Sequence, residues 1–191
     1  MLIPEYPIVT ERLVLRPFVA ADAPALGAVH AQEGVVRYLC GDPMTREDAV
    51  KEVERRISKA RITAEGDQLM VAAILAETGA FVGDVSLAYR SAVNGVAEIG
   101  FVTDPAHRGR GLATEAARAV LDLGFEHLDI HRVIGKCDAR NVASARLLVR
   151  LGMRPEAHFV ENEFVKGEWT DELVFAILRT EWRAGPANRE P

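Results

Sequence analysis

The chain is expected to fold as one α/β domain on a mixed sheet, and three observations carry that expectation. Strand-like and helix-like patterns interleave along nearly the whole sequence. Three consecutive strand-like runs between Gln68 and Val102 are joined by short turn signals, which makes an antiparallel meander. After Val102 the order changes to helix, strand, helix and two further strands. With 191 residues, 49% of them hydrophobic, the chain can bury one substantial core, and nothing in the composition marks a second.

The elements follow in order. The segment IVTERLVLRPF (residues 8–18) alternates around Leu13, Val14 and Leu15 as a first strand, and Asp22 can cap the short apolar helix after it. Thr45 and Asp48 have the spacing of a capping box, and Val50, Val53, Ile57 and Ala60 recur at helical spacing behind it. The meander strands are LMVAAILA, FVGDVSLAYR and VAEIGFV, separated by ETGA and by SAVNGV with its Asn94-Gly95 hairpin dipeptide. A helix from Leu112 to Leu128, a strand from His131 to Asp138, a helix from Val142 to Leu151 and two strands ending in ELVFAIL complete the domain, which is expected to span residues 1–183. The tail AGPANREP (184–191) has no apolar content to bury and is expected to be disordered. An edge strand in the C-terminal hairpin could pair between chains into a homodimer.

Charge and composition exclude several classes of function. A net charge of −5 argues against a nucleic-acid partner, which requires a basic face. Cys40 and Cys137 have no close spacing and the five histidines are scattered, so neither a disulfide scaffold nor a metal site is expected. The N-terminal MLIPEYPIVTERL lacks a signal-peptide pattern, and no stretch approaches the roughly 20 apolar residues of a membrane span. The expectation is a cytoplasmic protein with no membrane partner.

The most informative stretch is HRGRGLATEA, His107 to Ala116, between the strand VAEIGFV and the helix from Leu112. At a helix N-terminus the first backbone N–H groups have no intrahelical partner, and the macrodipole adds partial positive charge. Gly109 and Gly111 let an anion approach that backbone, and Arg108 and Arg110 add cationic donors, so a phosphate group is the natural guest. The alternative is a surface turn whose glycines only serve the fold. No Walker loop and no three-glycine Rossmann fingerprint is present, so ATP and NAD fit poorly.

Arg108-Gly109-Arg110-Gly111-Leu112-Ala113, continued by Thr114, Glu115 and Ala116, resembles the R/Q-x-x-G-x-G/A signature of the GNAT superfamily of acetyl-CoA-dependent N-acetyltransferases. The resemblance is closest to the RimJ/RimL ribosomal-protein branch. It covers nearly the whole chain, through TERLVLRPF, AEIGFVTDP, NVASARLLVRLGM and KGEWTDELVFAIL. It implies a GNAT fold: a mostly antiparallel sheet of about seven strands, splayed between the fourth and fifth, flanked by about four helices, with acetyl-CoA between the splayed strands. The pyrophosphate would lie on Arg108 to Thr114. The main chain of Phe101, Val102 and Thr103 would pair with the pantetheine arm and point an N–H at the thioester carbonyl as an oxyanion donor.

Period two puts Ala97, Ile99 and Phe101 on one face of that strand and Glu98 on the other with Val96 and Gly100. An acceptor amine is mostly protonated at pH 7, so a base must take a proton; related enzymes use a glutamate on this strand, and Glu98 is either that base or a paired or solvated carboxylate. Glu161 and Glu163 are weaker candidates. Asn141 and Ser144 read as a cap and first turn; by resemblance Asn141 contacts the cofactor and Ser144 sits near the thioester sulfur. Many members have a tyrosine seven residues after the asparagine as general acid, where this chain has Leu148, so Ser144 or water must serve. Asp171 is read as fixing the final hairpin by accepting backbone hydrogen bonds, with substrate contact as the alternative, and Arg12 and Arg16 are read as scaffold.

The resemblance implies direct acetyl transfer to a primary amine in a ternary complex, with no cysteine and no metal taking part. The acceptor is expected to be a protein or peptide N-terminal α-amine. The alternatives are a small-molecule amine or antibiotic, or a non-catalytic acyl-CoA-binding module.

Overall fold

The computed structural model describes residues 1–184, and the remainder of the expected tail lies outside them. Eight strands form one sheet in the order β1-β2-β3-β4-β5-β6-β8-β7. They are β1 (Ile8–Val9), β2 (Leu13–Arg16), β3 (Gln68–Leu75), β4 (Phe81–Ser91), β5 (Val96–Thr103), β6 (Arg132–Asp138), β7 (Arg154–Val165) and β8 (Glu168–Leu178). Every neighbouring pair is antiparallel except β5 and β6. The helices are α1 (Ala23–His30), α2 (Glu33–Val36), α3 (Arg46–Ile57), α4 (Leu112–His127), α5 (Val142–Arg150) and α6 (Arg179–Ala184).

The expected mixed sheet and its meander are present, with two differences in the element count. The single first strand is two short strands: Thr10 Oγ1 accepts from Leu13 N and folds the chain back, so that Ile8 pairs with Leu15. Short α2 and α6 add to the four expected helices, α6 running through Ala184 at the start of the expected tail. The Asn94-Gly95 dipeptide closes a four-residue loop rather than a two-residue turn, with Gly95 at φ 57°.

Period two on β3 sorts the two layers. Leu69, Val71, Ala73 and Leu75 join Leu112, Ala116, Ala117, Val120, Leu121 and Phe125 of α4 in the larger core. Met70 and Ala72 point the other way, to Phe18, Leu26 of α1 and Val53 of α3. The capping box of α3 forms as expected, Thr45 Oγ1 accepting from Asp48 N at 3.2 Å and Asp48 accepting from Thr45 N at 3.0 Å. The buried stripe of α3 is rotated from the expected one: Ala49, Val53 and Arg56 face inward, and Val50 and Ile57 are exposed. Asp22 precedes α1 without a side-chain cap bond; its carboxylate is taken instead by Arg16 in a bidentate pair at 2.7 Å and by Val19 N. Among the described residues no helix is long and apolar enough to cross a membrane.

Candidate active site

The site begins where two parallel strands part. β5 and β6 pair from Val96 opposite Arg132 to Ile99 opposite Gly135, and no further. Both strands continue, β5 to Thr103 still paired with β4, β6 to Asp138 still paired with β8. From Gly100 and Lys136 onward each strand therefore turns one edge of unpaired backbone toward the other. The gap is a cleft of about 820 Å³ that runs between the strands and past the loop before α4. This is the expected splay between the fourth and fifth strands, counting β1 and β2 as one. Such an edge can take an extended ligand as an added strand.

The loop after β5 forms as its residues dictate. Asp104 caps the short turn Pro105–His107 by accepting from Ala106 N at 3.0 Å. Gly109 and Gly111 adopt φ 76° and 79°, a region that disfavours other residues, and Gly111 begins α4 with no side chain capping it. The first N–H groups of a 16-residue helix are thus left open beside the cleft. His107, Arg108, Gly109, Gly111, Leu112, Ala113 and Thr114 line it. Arg110 does not: its guanidinium points back to His107, 3.4 Å from Nδ1. The place of His107 on this wall has no signal in the sequence, because a histidine in a loop carries no periodicity.

The loop is bolted to the start of β2. Arg12 Nη1 donates to the Arg110 carbonyl at 2.9 Å, while Glu115 on the first turn of α4 accepts from Arg12 N, Arg12 Nε and Thr10 Oγ1 at 2.8, 2.7 and 2.6 Å. Burial pushes the Glu115 carboxyl up, but the bonds from Thr10 and Arg12 outweigh it and hold the group below its ordinary value. Arg12, read from sequence as scaffold, is scaffold for this loop.

The opposite wall is β6 and the start of α5. Asn141 caps α5, its Oδ1 accepting from Ser144 N at 3.1 Å, and Asn141 and Ser144 both line the cleft with Lys136, Cys137 and Asp138. Burial pushes the Cys137 thiol up to about 11, with Asp138 and Glu172 adding to the effect, so it is no ready nucleophile. Leu148 is fully buried against Gly135 and takes no part. Cations gather at this end: Arg108, Lys136, Arg140 and Arg150 all line the cleft, Arg140 held at 2.7 Å by Asp138 and Glu168.

Phe101, Val102 and Thr103 line the cleft as expected, but Glu98 is not among the lining residues. Ala97 and Ile99 are buried on the α4 face, and Glu98 projects from the other with its carboxylate 2.9 Å from Arg90 Nε. Asp171 sits on the hairpin, accepting from Glu161 N at 2.9 Å and pairing with His158 at 2.7 Å. Sequence reasoning missed Arg56 and Asp84, which also line the cleft. Among the described residues no cluster of His, Cys, Asp and Glu could hold a metal ion.

Comparison with known proteins agrees with this geometry. Residues 12–154 match the acetyltransferase (GNAT) domain. The chain is 32% identical over 176 residues to the uncharacterized N-acetyltransferase YnaD of Bacillus subtilis, covering 92% of this chain and 98% of that one. A GNAT-family acetyltransferase from Bacillus anthracis superposes with a TM-score of 0.81 at 30% identity, covering 91% of this chain and 99% of the other. At the level of fold alone, the ribosomal L7/L12 α-N-protein acetyltransferase RimL with coenzyme A superposes at 0.78 and 22% identity, covering 91% and 98%. The Vibrio cholerae spermidine N-acetyltransferase with CoA and spermine does so at 0.76 and 20%, covering 91% and 99%. A splayed parallel pair, a glycine loop opening a helix N-terminus and a family match over most of its length make this chain a member of the GNAT family of acetyltransferases.

Proposed function

We propose that the protein transfers the acetyl group of acetyl-CoA to a protein or peptide N-terminal α-amine, by direct attack in a ternary complex. The observation that carries the reading is the continuous cleft from the open N-terminus of α4, along the unpaired edge of β5, to the far face of the sheet. Arg108 and the N–H groups around Gly109 to Thr114 take the pyrophosphate. The main chain of Phe101 to Thr103 holds the pantetheine arm, and an N–H from this edge meets the thioester carbonyl where negative charge develops in the transition state. Asn141 keeps its amide donors for the cofactor after its oxygen has capped α5, and Ser144 stands beside the departing sulfur. Glu98, held by Arg90 away from the cleft wall, accepts the amine proton only through water in this reading.

RimL supports the N-terminal acceptor, and the spermidine enzyme supports a second reading in which the acceptor is a small polyamine. We extend the proposal to a homodimer paired along β7, the outer strand of the sheet, which exposes Phe159, Val160 and Phe164. The test of function is CoA thiol release from acetyl-CoA with peptides beginning with Ala, Ser, Thr or Met, with polyamines and with aminoglycosides. Release that depends on the peptides is expected. Release with polyamines alone selects the second reading, and none with any acceptor, from protein that still binds acetyl-CoA, favours the binding module.

A further inference from the structure

Because α3 turns Arg56 inward, a guanidinium reaches the sheet on the face opposite α4. It lies 5.1 Å over the Phe18 ring, its Nε donates to Glu52 at 2.6 Å, and its Nη1 is 2.9 Å from Oδ2 of Asp84 on β4. His30 of α1 approaches the same oxygen, Nε2 at 3.9 Å. The side chains of His30, Arg56 and Asp84 are at most 6% exposed. Neither approach is a hydrogen bond, the first being misdirected and the second too long, so that Arg56 Nη1, Asp84 Oδ2 and His30 Nε2 are all buried without a hydrogen-bond partner.

One guanidinium thus stands between two carboxylates and is aligned on only one of them. Glu52 has Arg56 and the half-exposed Arg55, whereas Asp84 is left with a poorly directed partner. A buried carboxylate so placed needs further donors. Burial pushes the Asp84 carboxyl up, but Arg56 and His30 outweigh that and hold it below the ordinary range, so it is an anion at neutral pH. Asp84 also forms part of the cleft wall, opposite Val102 in the register of β4 and β5, with Val35, Tyr38, Leu39 and Met70 as apolar neighbours on that wall.

We propose that Asp84 is the cation-receiving group of the acceptor subsite: its carboxylate takes the ammonium form in which a primary amine enters the cleft, while the acceptor's aliphatic part lies against Val35, Tyr38, Leu39 and Met70. The inference rests on the amine-acceptor reading and adds the residue that recognises the acceptor's charge. An ammonium brings a full positive charge and three donors to a carboxylate oxygen without a hydrogen-bond partner, whereas an uncharged hydroxyl brings one O–H donor and no charge.

The test is a saturation-transfer NMR titration of the full chain, saturated with CoA, with butylammonium and with 1-butanol, which match in length and differ in charge. Wild type is expected to bind butylammonium at least tenfold more tightly. Asp84→Asn should bring the two ligands within twofold while CoA affinity is retained. Since that change also strips Arg56 of a partner, Asp84→Asn/Arg56→Gln, which removes both members of the pair, serves as the second variant and should lose the preference equally. Equal binding of the two ligands by wild type, or a preference that persists in the variants, would overturn the assignment. No turnover is needed, so a failure of CoA release with every acceptor would favour the binding module over the transferase reading, while the role of Asp84 is decided by the titration alone. With an acceptor in hand, Asp84→Asn should raise the acceptor's KM at least tenfold with the KM for acetyl-CoA unchanged, a split that a purely structural tie between α3 and β4 would not produce.

Discussion

Replacing Glu115 by Gln tests whether the contact between β2 and α4 holds the phosphate-binding loop. The amide keeps an oxygen for Thr10 Oγ1 and Arg12 N but turns an NH₂ toward the Arg12 guanidinium, which loses both its charge partner and the bond from Nε. A hydrogen bond to a charged group contributes about 1.5–3 kcal/mol when well shielded. The Arg12 side chain is 43% exposed, so solvent screens the pair and a cost of about 1–1.5 kcal/mol is the better figure. For a chain of this length that lowers Tm by about 2–6 °C. Arg12 freed from Glu115 no longer positions its Nη1 under the Arg110 carbonyl, and about 1 kcal/mol of lost loop order weakens coenzyme binding about fivefold. Calorimetric titration with CoA and thermal unfolding of Glu115→Gln, Arg12→Gln and the double variant form a cycle with an expected coupling of about 1 kcal/mol. Strict additivity, or unchanged coenzyme affinity in both single variants, would refute the bolt. The pH dependence has a definite sign: the folded carboxyl titrates below its ordinary 4.5, so its stabilisation is full above that pH and is lost as the pH falls through the folded value. The wild-type advantage over Glu115→Gln should therefore shrink below about pH 4.5.

Three further outcomes are expected. A Cβ at Gly135 would stand 2.4 Å from Leu148 Cδ2, so Gly135→Ala should cost about 1–3 kcal/mol in denaturant unfolding and, by pushing on α5, weaken coenzyme binding; a neutral result would mean that Leu148 repacks freely. A thiol titrating at about 11 is thiolate in roughly one molecule in a thousand at pH 8, so iodoacetamide should alkylate exposed Cys40 well before Cys137, as peptide mapping would show. Ser144→Ala should lower kcat by less than about tenfold, because a thiolate leaves with little help; a loss of a thousandfold would make the hydroxyl an essential acid.

Features written in short-range patterns were legible in the sequence. The period-two runs of β3, β4 and β5, the Thr45–Asp48 cap, the two glycines before α4 and Asn141 at the head of α5 each depend on residues within a few positions of one another, and each has its expected place. The same local reasoning put Val50 and Ile57 on the inner face of α3 because they share helical spacing with Val53, whereas the face that packs inward carries Ala49, Val53 and Arg56. For Glu98 it left a base and a paired carboxylate both open, and only the fold supplies the partner, Arg90 across the hairpin.

The sequence by itself determined the order of the elements, the mixed sheet and the chemistry of the loop before α4, because propensity, periodicity and backbone conformation act between near neighbours. Only the tertiary structure decided where β5 leaves β6, which helix face meets the sheet, and that Thr10 and Arg12 clamp a loop some hundred residues away. It alone assembled His30, Glu52, Arg56 and Asp84 from α1, α3 and β4. Contacts of that range are set by how whole faces pack, and a buried charge cluster has no local spacing by which a sequence could announce it.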